Sequence, residues 1–150
     1  MTDKKQILKL MDESEAVFLA TVGAKGPIIR ALVNLRRADA YPGICERARR
    51  DGFAVYLATS RKSSKVREIV ADPRVSLYYC VPARYEGVTL NGTARIVDDE
   101  DLRRALWCEA WRIYWPDGLG NPDYCVLRVD PDVLFGWCGT TAFRLDLEAP

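Results

Sequence analysis

The sequence contains no histidine, and this absence excludes several kinds of site. A Ser-His-Asp or Cys-His catalytic set, a histidine-ligated haem and a zinc site with a histidine ligand all need that side chain. A large net charge is also missing, because the 22 Lys and Arg residues are nearly balanced by 21 Asp and Glu residues, which gives a net charge of +1. General nucleic-acid binders carry a strong basic excess, so no nucleic-acid partner is expected.

Long apolar runs and closely spaced cysteines are missing as well. No run reaches the ~18 residues of a membrane span, and the N-terminus has neither an apolar signal-peptide core nor a cleavage site. We therefore expect no membrane partner and a cytoplasmic location. The five cysteines form no CxxC motif, so no metal site is predicted. A length of 150 residues fits one globular domain over residues 1–150.

Short runs of strand-forming residues dominate what is present. Strands are expected over residues 16–22, 27–35, 53–59, 74–81, 87–97, 124–129, 133–137 and 141–147. Helices are expected over 4–14, over 65–71 and from 98 to about 114, and an excursion over 38–52 contains a basic helical piece at 46–50. Hairpins outnumber strand–helix alternations. The pattern therefore predicts a mostly β protein, an antiparallel barrel of about six to seven strands with flanking short helices.

Arg30 lies at the centre of the apolar strand over residues 27–33. A buried guanidinium is unfavourable unless it reaches a partner or solvent. The Arg30 side chain therefore binds a ligand or pairs with a carboxylate of this chain. Alternatively, it lies on a strand face that is exposed to solvent.

The segment over residues 59–65 joins a strand to a helix and carries hydroxyls and cations, among them Thr59, Ser60, Ser64 and Lys65. Free backbone N–H groups at a helix start, together with such side chains, suit a phosphate. The glycines of a Walker A loop are missing. The alternative is a polar connection with a basic surface.

Aromatic side chains are the third candidate feature. Trp107, Trp111 and Tyr114 are spaced to share one helical face, and Trp137 is a similar large aromatic residue. They could cover a flat ring, or they form core or a subunit contact. No paired catalytic acids are evident, so catalytic residues stay unknown. A phosphate-like site without an acid–base set is typical of a protein whose cofactor carries the chemistry.

Segments in a fixed order along almost the whole chain resemble a known family. The chain is similar to pyridoxamine 5′-phosphate oxidase-like proteins, which are split β-barrels that bind flavin mononucleotide (FMN), and in particular to the branch related to general stress protein 26. The matching segments cover residues 20–22, 26–30, 55–60, 64–69, 72–78, 90–99, 107–118 and 121–124.

The resemblance implies a split-barrel homodimer with FMN at the subunit interface, and it implies roles for individual residues. Arg30 and Lys65 would hold the FMN phosphate with help from Ser64, and Thr59 and Ser60 would contact the ribityl chain or phosphate. Ala31, Leu32 and Val33 would lie along the flavin ring and offer backbone hydrogen bonds. Trp111 and Trp137 would come from the partner subunit.

The implied function is an FMN-dependent oxidoreductase of unknown substrate that exchanges hydride with a small molecule or a nicotinamide cofactor. Flavin adenine dinucleotide (FAD) and deazaflavin (F420) are alternative cofactors for the same groove. A non-catalytic flavin-binding or stress-response protein and a dimeric interaction domain without cofactor are the alternative functions. The missing histidine argues against vitamin B6 phosphate oxidation and haem breakdown, two activities of this family.

Overall fold

The computed structural model describes residues 2–148. Within this range there are four α-helices and seven β-strands, with short 3-10 turns at residues 82–84, 109–113 and 118–120. In chain order the elements are α1 (Lys4–Glu13), β1 (Ala16–Gly23), β2 (Gly26–Val33), α2 (Ile44–Arg49), β3 (Val55–Ser60), α3 (Ser64–Ala71), β4 (Arg74–Val81), β5 (Glu86–Val97), α4 (Glu100–Ala105), β6 (Tyr124–Cys138) and β7 (Thr141–Asp146).

The strands form one antiparallel sheet in the order β2-β1-β4-β5-β6-β3, and β7 pairs with the C-terminal part of β6. The sheet curls so far that its end strands, β2 and β3, approach each other. No ladder joins these two strands in the described part of the chain. The predicted split β-barrel is therefore confirmed, and its opening runs between β2 and β3.

An aliphatic core fills the inside of the curled sheet. Helix α1 contributes Ile7, Leu10 and Met11, and α3 contributes Val66 and Ile69. These side chains recur at the spacing of one helical face and are all nearly inaccessible to solvent. Burial of each such side chain stabilises the fold by ~1.5–3 kcal/mol relative to exposure. The core thereby holds α3, which carries part of the predicted phosphate site, against the sheet.

A second core, the aromatic cluster, consists of Trp107, Trp111, Trp115 and Tyr124. Its ring centroids lie 5.0 to 6.4 Å apart, and several pairs meet edge to face. The predicted helix from 98 to about 114 is wrong in its second half, because α4 ends at Ala105 and a 3-10 turn follows. The packing of three indoles around Tyr124 determines the backbone conformation here, although the spacing of the aromatic residues is that of a helix.

Strand β6 runs without interruption from Tyr124 to Cys138, whereas the sequence predicts two strands broken at Pro131. Pro131 faces Gly92 at the position where the β5–β6 register shifts. A proline is tolerated at such a bulge because no ladder hydrogen bond is needed from it. A Cβ atom on Gly92 would lie 2.2 Å from the Asp130 carbonyl oxygen, so the bulge also requires this glycine.

The other predicted elements agree closely with the structure. Strand β4 has the predicted bounds, and β1, β3 and β5 differ by one or two residues at an end. Strand β2 ends at Val33 rather than at residue 35. The reason is Asn34, whose buried amide donates to the carbonyl oxygens of Met11 and Ser14, both at 2.8 Å, and so turns the chain.

The excursion over residues 38–52 contains α2 and is tied to the rest of the fold by arginines. Arg36 is buried and donates to Asp12 at 2.8 Å and to the Gly52 carbonyl oxygen at 3.0 Å. Arg49 donates to the Arg36 carbonyl oxygen. Tyr41 of the excursion packs against Trp111 at 6.1 Å between centroids, so the excursion supports the aromatic cluster. No helix of the described residues is long and apolar enough to cross a membrane.

Candidate functional site

The opening of the barrel forms a groove of about 720 Å³ between β2 and β3. Both are end strands of the sheet, so each presents one edge of backbone N–H and C=O groups that no neighbouring strand satisfies. The β2 wall consists of Ala31, Leu32 and Val33, and the β3 wall includes Thr59 and Ser60. The groove thus has an apolar wall on the β2 side and hydroxyls on the β3 side, with free backbone hydrogen-bonding groups at both strand edges.

One end of the groove is polar. The Lys65 Nζ atom donates to the Thr59 hydroxyl at 2.7 Å, and the Ser60 hydroxyl donates to the Asp123 carboxylate at 2.6 Å. Burial, together with the positive charge of Arg30, lowers the pKa of Lys65 below its ordinary value. The amine is therefore a partly desolvated cation without a carboxylate in ion-pair contact among residues 2–148. A bound anion would satisfy it.

Asp123 holds the loop beneath this polar end. Its carboxylate also accepts from the Trp115 indole at 3.0 Å and from the Lys62 backbone N–H at 3.1 Å. Burial alone would raise the pKa of Asp123, but the hydrogen bonds from Ser60 and Trp115 lower it, so the carboxylate stays ionised. These three contacts connect β3, the loop before α3 and the aromatic cluster.

The first turn of α3 lies beside Lys65. Ser64 is the first helical residue, and Ser63 precedes it as the N-cap without the usual side-chain cap hydrogen bond. The Ser63 hydroxyl oxygen is shielded from solvent and finds no hydrogen-bond partner in the described part of the chain. A buried hydroxyl is rarely left without a partner. This orphaned oxygen fits a ligand with acceptor atoms near the helix start.

Arg30 points to a carboxylate of the same chain, as one of the sequence alternatives allows. Its Nη2 atom lies 2.8 Å from Glu68 Oε1, and its Nη1 atom donates to the Thr21 hydroxyl at 2.8 Å. The Thr21 hydroxyl in turn donates to the same Glu68 oxygen at 2.9 Å. Arg30 does not itself line the groove, but its charge acts on Lys65.

Aromatic residues form the far wall of the groove. Trp111 and Trp115 are buried in the aromatic cluster with one edge on the groove, whereas Ile113 and Tyr114 are exposed at its rim. The sequence expectation placed Trp111 in the partner subunit. The structure places it in the groove of its own chain, because the 3-10 turn directs it onto Tyr41 and Tyr124.

Trp137 lies elsewhere, on the outer surface of the sheet. It lines a cavity of about 930 Å³ together with Tyr78, Tyr85, Phe135 and Phe143. Its side chain is 57% exposed, so it can contact another molecule, and it does not line the groove of its own chain.

The structure therefore brings most of the predicted site residues together. Those that line one groove are Ala31, Leu32, Val33, Thr59, Ser60, Lys65 and Trp111. Ser64 lies next to Lys65, Arg30 lies behind it, and Trp137 is separate. Ser63 falls within the predicted segment over residues 59–65, whereas sequence reasoning assigned no role to Glu68 or Asp123. The only signal was the spacing of Glu68, which lies three residues after Lys65 on the same helix and so on a neighbouring position of its face.

Two of the five cysteines are poorly suited to be a reactive centre. All five thiols are free within residues 2–148. Burial raises the pKa of Cys80 and of Cys125, which keeps both protonated and weakly nucleophilic. Among the described residues, no three Cys, Asp or Glu side chains are grouped so that they could hold a metal ion.

Comparison with known proteins gives consistent matches over most of the chain. The family described as pyridoxamine 5′-phosphate oxidase matches residues 3–138. General stress protein 26 of Bacillus subtilis (strain 168) is 25% identical over 132 residues, which are 86% of this chain and 84% of that protein.

Solved structures match the fold closely. A protein related to general stress protein 26 from Clostridium acetobutylicum superposes with a TM-score of 0.75 at 24% identity and covers 97% of both chains. General stress protein 26 from Bacillus anthracis superposes with a TM-score of 0.76 at 20% identity, over 96% of this chain and 98% of that one.

Proposed function

The chain belongs to the pyridoxamine 5′-phosphate oxidase family of flavin-binding split-barrel proteins, and from that premise we propose that it binds FMN in the groove between β2 and β3. The observation that carries the proposal is the groove itself. It combines an apolar slot between two unpaired strand edges with a cationic, hydroxyl-rich end at Lys65.

The residues present fit the chemical groups of FMN. Its phosphate needs cations and donors, and Lys65, the orphaned Ser63 hydroxyl and the first turn of α3 supply them at one end. Its isoalloxazine ring needs an apolar slot with a few hydrogen-bonding groups, and the free edge of β2 at Ala31, Leu32 and Val33 supplies both.

We further propose that the loaded protein is an oxidoreductase. A bound flavin supplies hydride transfer at its N5 atom, toward a small molecule or a nicotinamide cofactor. The chain would bind and orient the ring, and the buried aromatic wall at Trp111 and Trp115 would keep water from one side of it. No residue is assigned as an acid or base.

A homodimer is the proposed assembly, and the outer surface of the sheet supports it. Cross-strand partners place Phe135, Thr89, Tyr78, Phe18 and Ala31 in one row across β6, β5, β4, β1 and β2. Tyr78 is 41% exposed and Phe135 is 36% exposed, so large aromatic surface is open to solvent. Contiguous exposed apolar surface of this kind marks an interaction site.

The same row connects the proposed interface to the groove. Ala31 is the last member of the row and also a wall of the groove. A second copy bound to this face would therefore reach the flavin site, and Trp137 of that copy is a candidate contact with it. The cytoplasmic location expected from the sequence stays a prediction.

The direct test is the chromophore of the purified protein. We expect a visible flavin spectrum, stoichiometric uptake of FMN in a titration, and FMN rather than FAD or deazaflavin in the mass spectrum of the released chromophore. A colourless protein that takes up no flavin would contradict the proposal and favour an interaction domain without cofactor.

A second measurement separates an enzyme from a binding protein. The FMN-loaded protein is mixed anaerobically with NADH or NADPH, and an electron acceptor is then added. Bleaching of the flavin followed by rapid return of its colour supports an oxidoreductase. A flavin that no donor reduces supports a non-catalytic flavin-binding role.

A further inference from the structure

In the described part of the chain the Arg30 guanidinium is held through its two Nη atoms, and Nη1 also donates to the Ile28 carbonyl oxygen at 3.5 Å. Its Nη1 and Nη2 atoms face the Thr21 hydroxyl and Glu68 Oε1, both at 2.8 Å. These two acceptors are themselves joined by a hydrogen bond of 2.9 Å, so they form one rigid support. Thr21 is 1% exposed, and the Arg30 and Glu68 side chains are 19% and 16% exposed.

The other edge of the same guanidinium is free. Its Nε atom makes no hydrogen bond to any residue from 2 to 148, and Nη2 has a second N–H beyond the one that reaches Glu68. The Nε–Nη2 edge of an arginine matches two oxygens of a phosphate in a bidentate contact. Glu68 and Thr21 therefore occupy the edge that a phosphate does not need.

Glu68 also connects the two predicted phosphate cations. It lies on α3, one turn after Lys65, and its partner Arg30 lies on β2. The Thr21 hydroxyl and then Arg30 lower the pKa of Glu68, so the carboxylate stays ionised near neutral pH. The ion pair thereby fixes the distance between a cation on the sheet and a cation on the helix.

We propose that Glu68 is a positioning residue for phosphate binding: with Thr21, it holds the Arg30 guanidinium so that its free Nε–Nη2 edge takes two phosphate oxygens beside Lys65. This inference rests on the proposed binding of FMN in the groove. It assigns Glu68 no contact with the flavin. The competing interpretation is that Glu68 only draws Arg30 away from the phosphate.

The test compares FMN with riboflavin, which has the same ring and ribityl chain but no phosphate. In Glu68→Ala the guanidinium loses its support, and we expect FMN affinity to fall about tenfold while riboflavin affinity stays unchanged. In Glu68→Gln the amide oxygen still accepts from Arg30 and Thr21, so FMN affinity should stay within roughly threefold of the wild-type value.

Two further variants control the experiment. Asp72→Ala removes a carboxylate that pairs with exposed Arg74 at the end of α3, 2.6 Å away, and should change neither affinity. In Arg30→Lys the bidentate edge is lost, so adding Glu68→Ala should cause little further loss of FMN affinity if Glu68 acts through Arg30.

The outcomes are distinct. FMN binding by Glu68→Ala that is as tight as wild type, or tighter, overturns the inference and supports the competing interpretation. Equal losses for FMN and riboflavin also overturn it, because they indicate a structural role. If wild-type protein binds riboflavin and FMN equally well, this inference is overturned, because the phosphate then makes no contact that matters, but flavin binding in the groove stands. If wild-type protein binds no flavin, the proposed function and this inference are both overturned.

Discussion

The groove between β2 and β3 and the aromatic outer face of the sheet are both open to solvent, but they differ in charge. The groove has a volume of about 720 Å³ and contains Lys65 and Asp123 with hydroxyls between them. The cavity on the outer face has a volume of about 930 Å³, and Glu86 is the one charged residue among the described residues that line it. Volume therefore does not distinguish the two surfaces, whereas their polar groups do.

The difference indicates what each surface binds. The groove contains the desolvated amine of Lys65, and the Ser63 hydroxyl without a described partner lies two residues before it at the start of α3, which together suit an anionic ligand. On the outer face, Tyr78, Phe135 and Trp137 offer apolar area with few directional groups, which suits a second protein surface. Substitutions in one region should therefore affect ligand binding, and substitutions in the other should affect assembly.

The largest expected effect is on the ligand side of this comparison. Arg30→Ala combined with Lys65→Ala removes both cations of the proposed phosphate site. Each charge-assisted contact is worth ~1.5–3 kcal/mol, so FMN binding should weaken by about 3–6 kcal/mol in a calorimetric titration.

The matched control for that double variant is Lys62→Ala. Lys62 is an exposed cation of the same loop, and only its backbone N–H contacts Asp123. FMN affinity should not change in this control. Unchanged FMN affinity in the double variant would mean that the cationic end of the groove is only a solvated surface.

The sequence predicts the residues of these surfaces better than it predicts their contacts. Alternating apolar residues and turn residues predict the strands, and the family resemblance predicts Thr59, Ser60 and Lys65 as one site. The contact between Arg30 and Glu68 joins a strand to a helix 38 residues later, and no local pattern encodes such a pairing.

The errors of the sequence prediction have a common cause. The helical spacing of Trp107 and Trp111 is real, but the indoles pack around Tyr124, which lies beyond an intervening loop. The break expected at Pro131 does not occur because Gly92 of the neighbouring strand accommodates a bulge. In both places a distant residue decides the local conformation, as tertiary packing routinely does.

An intermediate effect is expected on the assembly side. Phe135→Asp places a charge in the aromatic row, at its end on β6, and desolvating that charge in an interface should weaken the dimer by ~2–4 kcal/mol. Sedimentation equilibrium would measure the change in dissociation constant. Val70→Asp is the control, because Val70 is 71% exposed on α3, outside the aromatic row. Equal dissociation in both variants would contradict the assignment of the aromatic face.

The smallest expected effect is the pH dependence of the groove. Burial and the charge of Arg30 lower the pKa of Lys65, so the folded chain without ligand releases this proton more readily than the unfolded chain does. Between the lowered pKa and the ordinary value the unfolded chain binds more protons, and the contribution of Lys65 to folding stability therefore rises with pH. FMN affinity should change in the opposite direction, because deprotonation removes a cation from the phosphate.

The measurement is the ratio of FMN to riboflavin affinity across the alkaline range. The ratio should fall by up to about tenfold as pH rises through the lowered pKa of Lys65, because one charge-assisted contact is lost. In Lys65→Arg the side chain stays charged throughout, so its ratio should stay flat. A wild-type ratio that also stays flat up to about pH 10, where an ordinary lysine begins to titrate, would show that Lys65 does not face the phosphate. The groove would then differ from the aromatic face in its hydroxyls and in Asp123, and the proposed division between ligand and partner would depend on those groups without the cation.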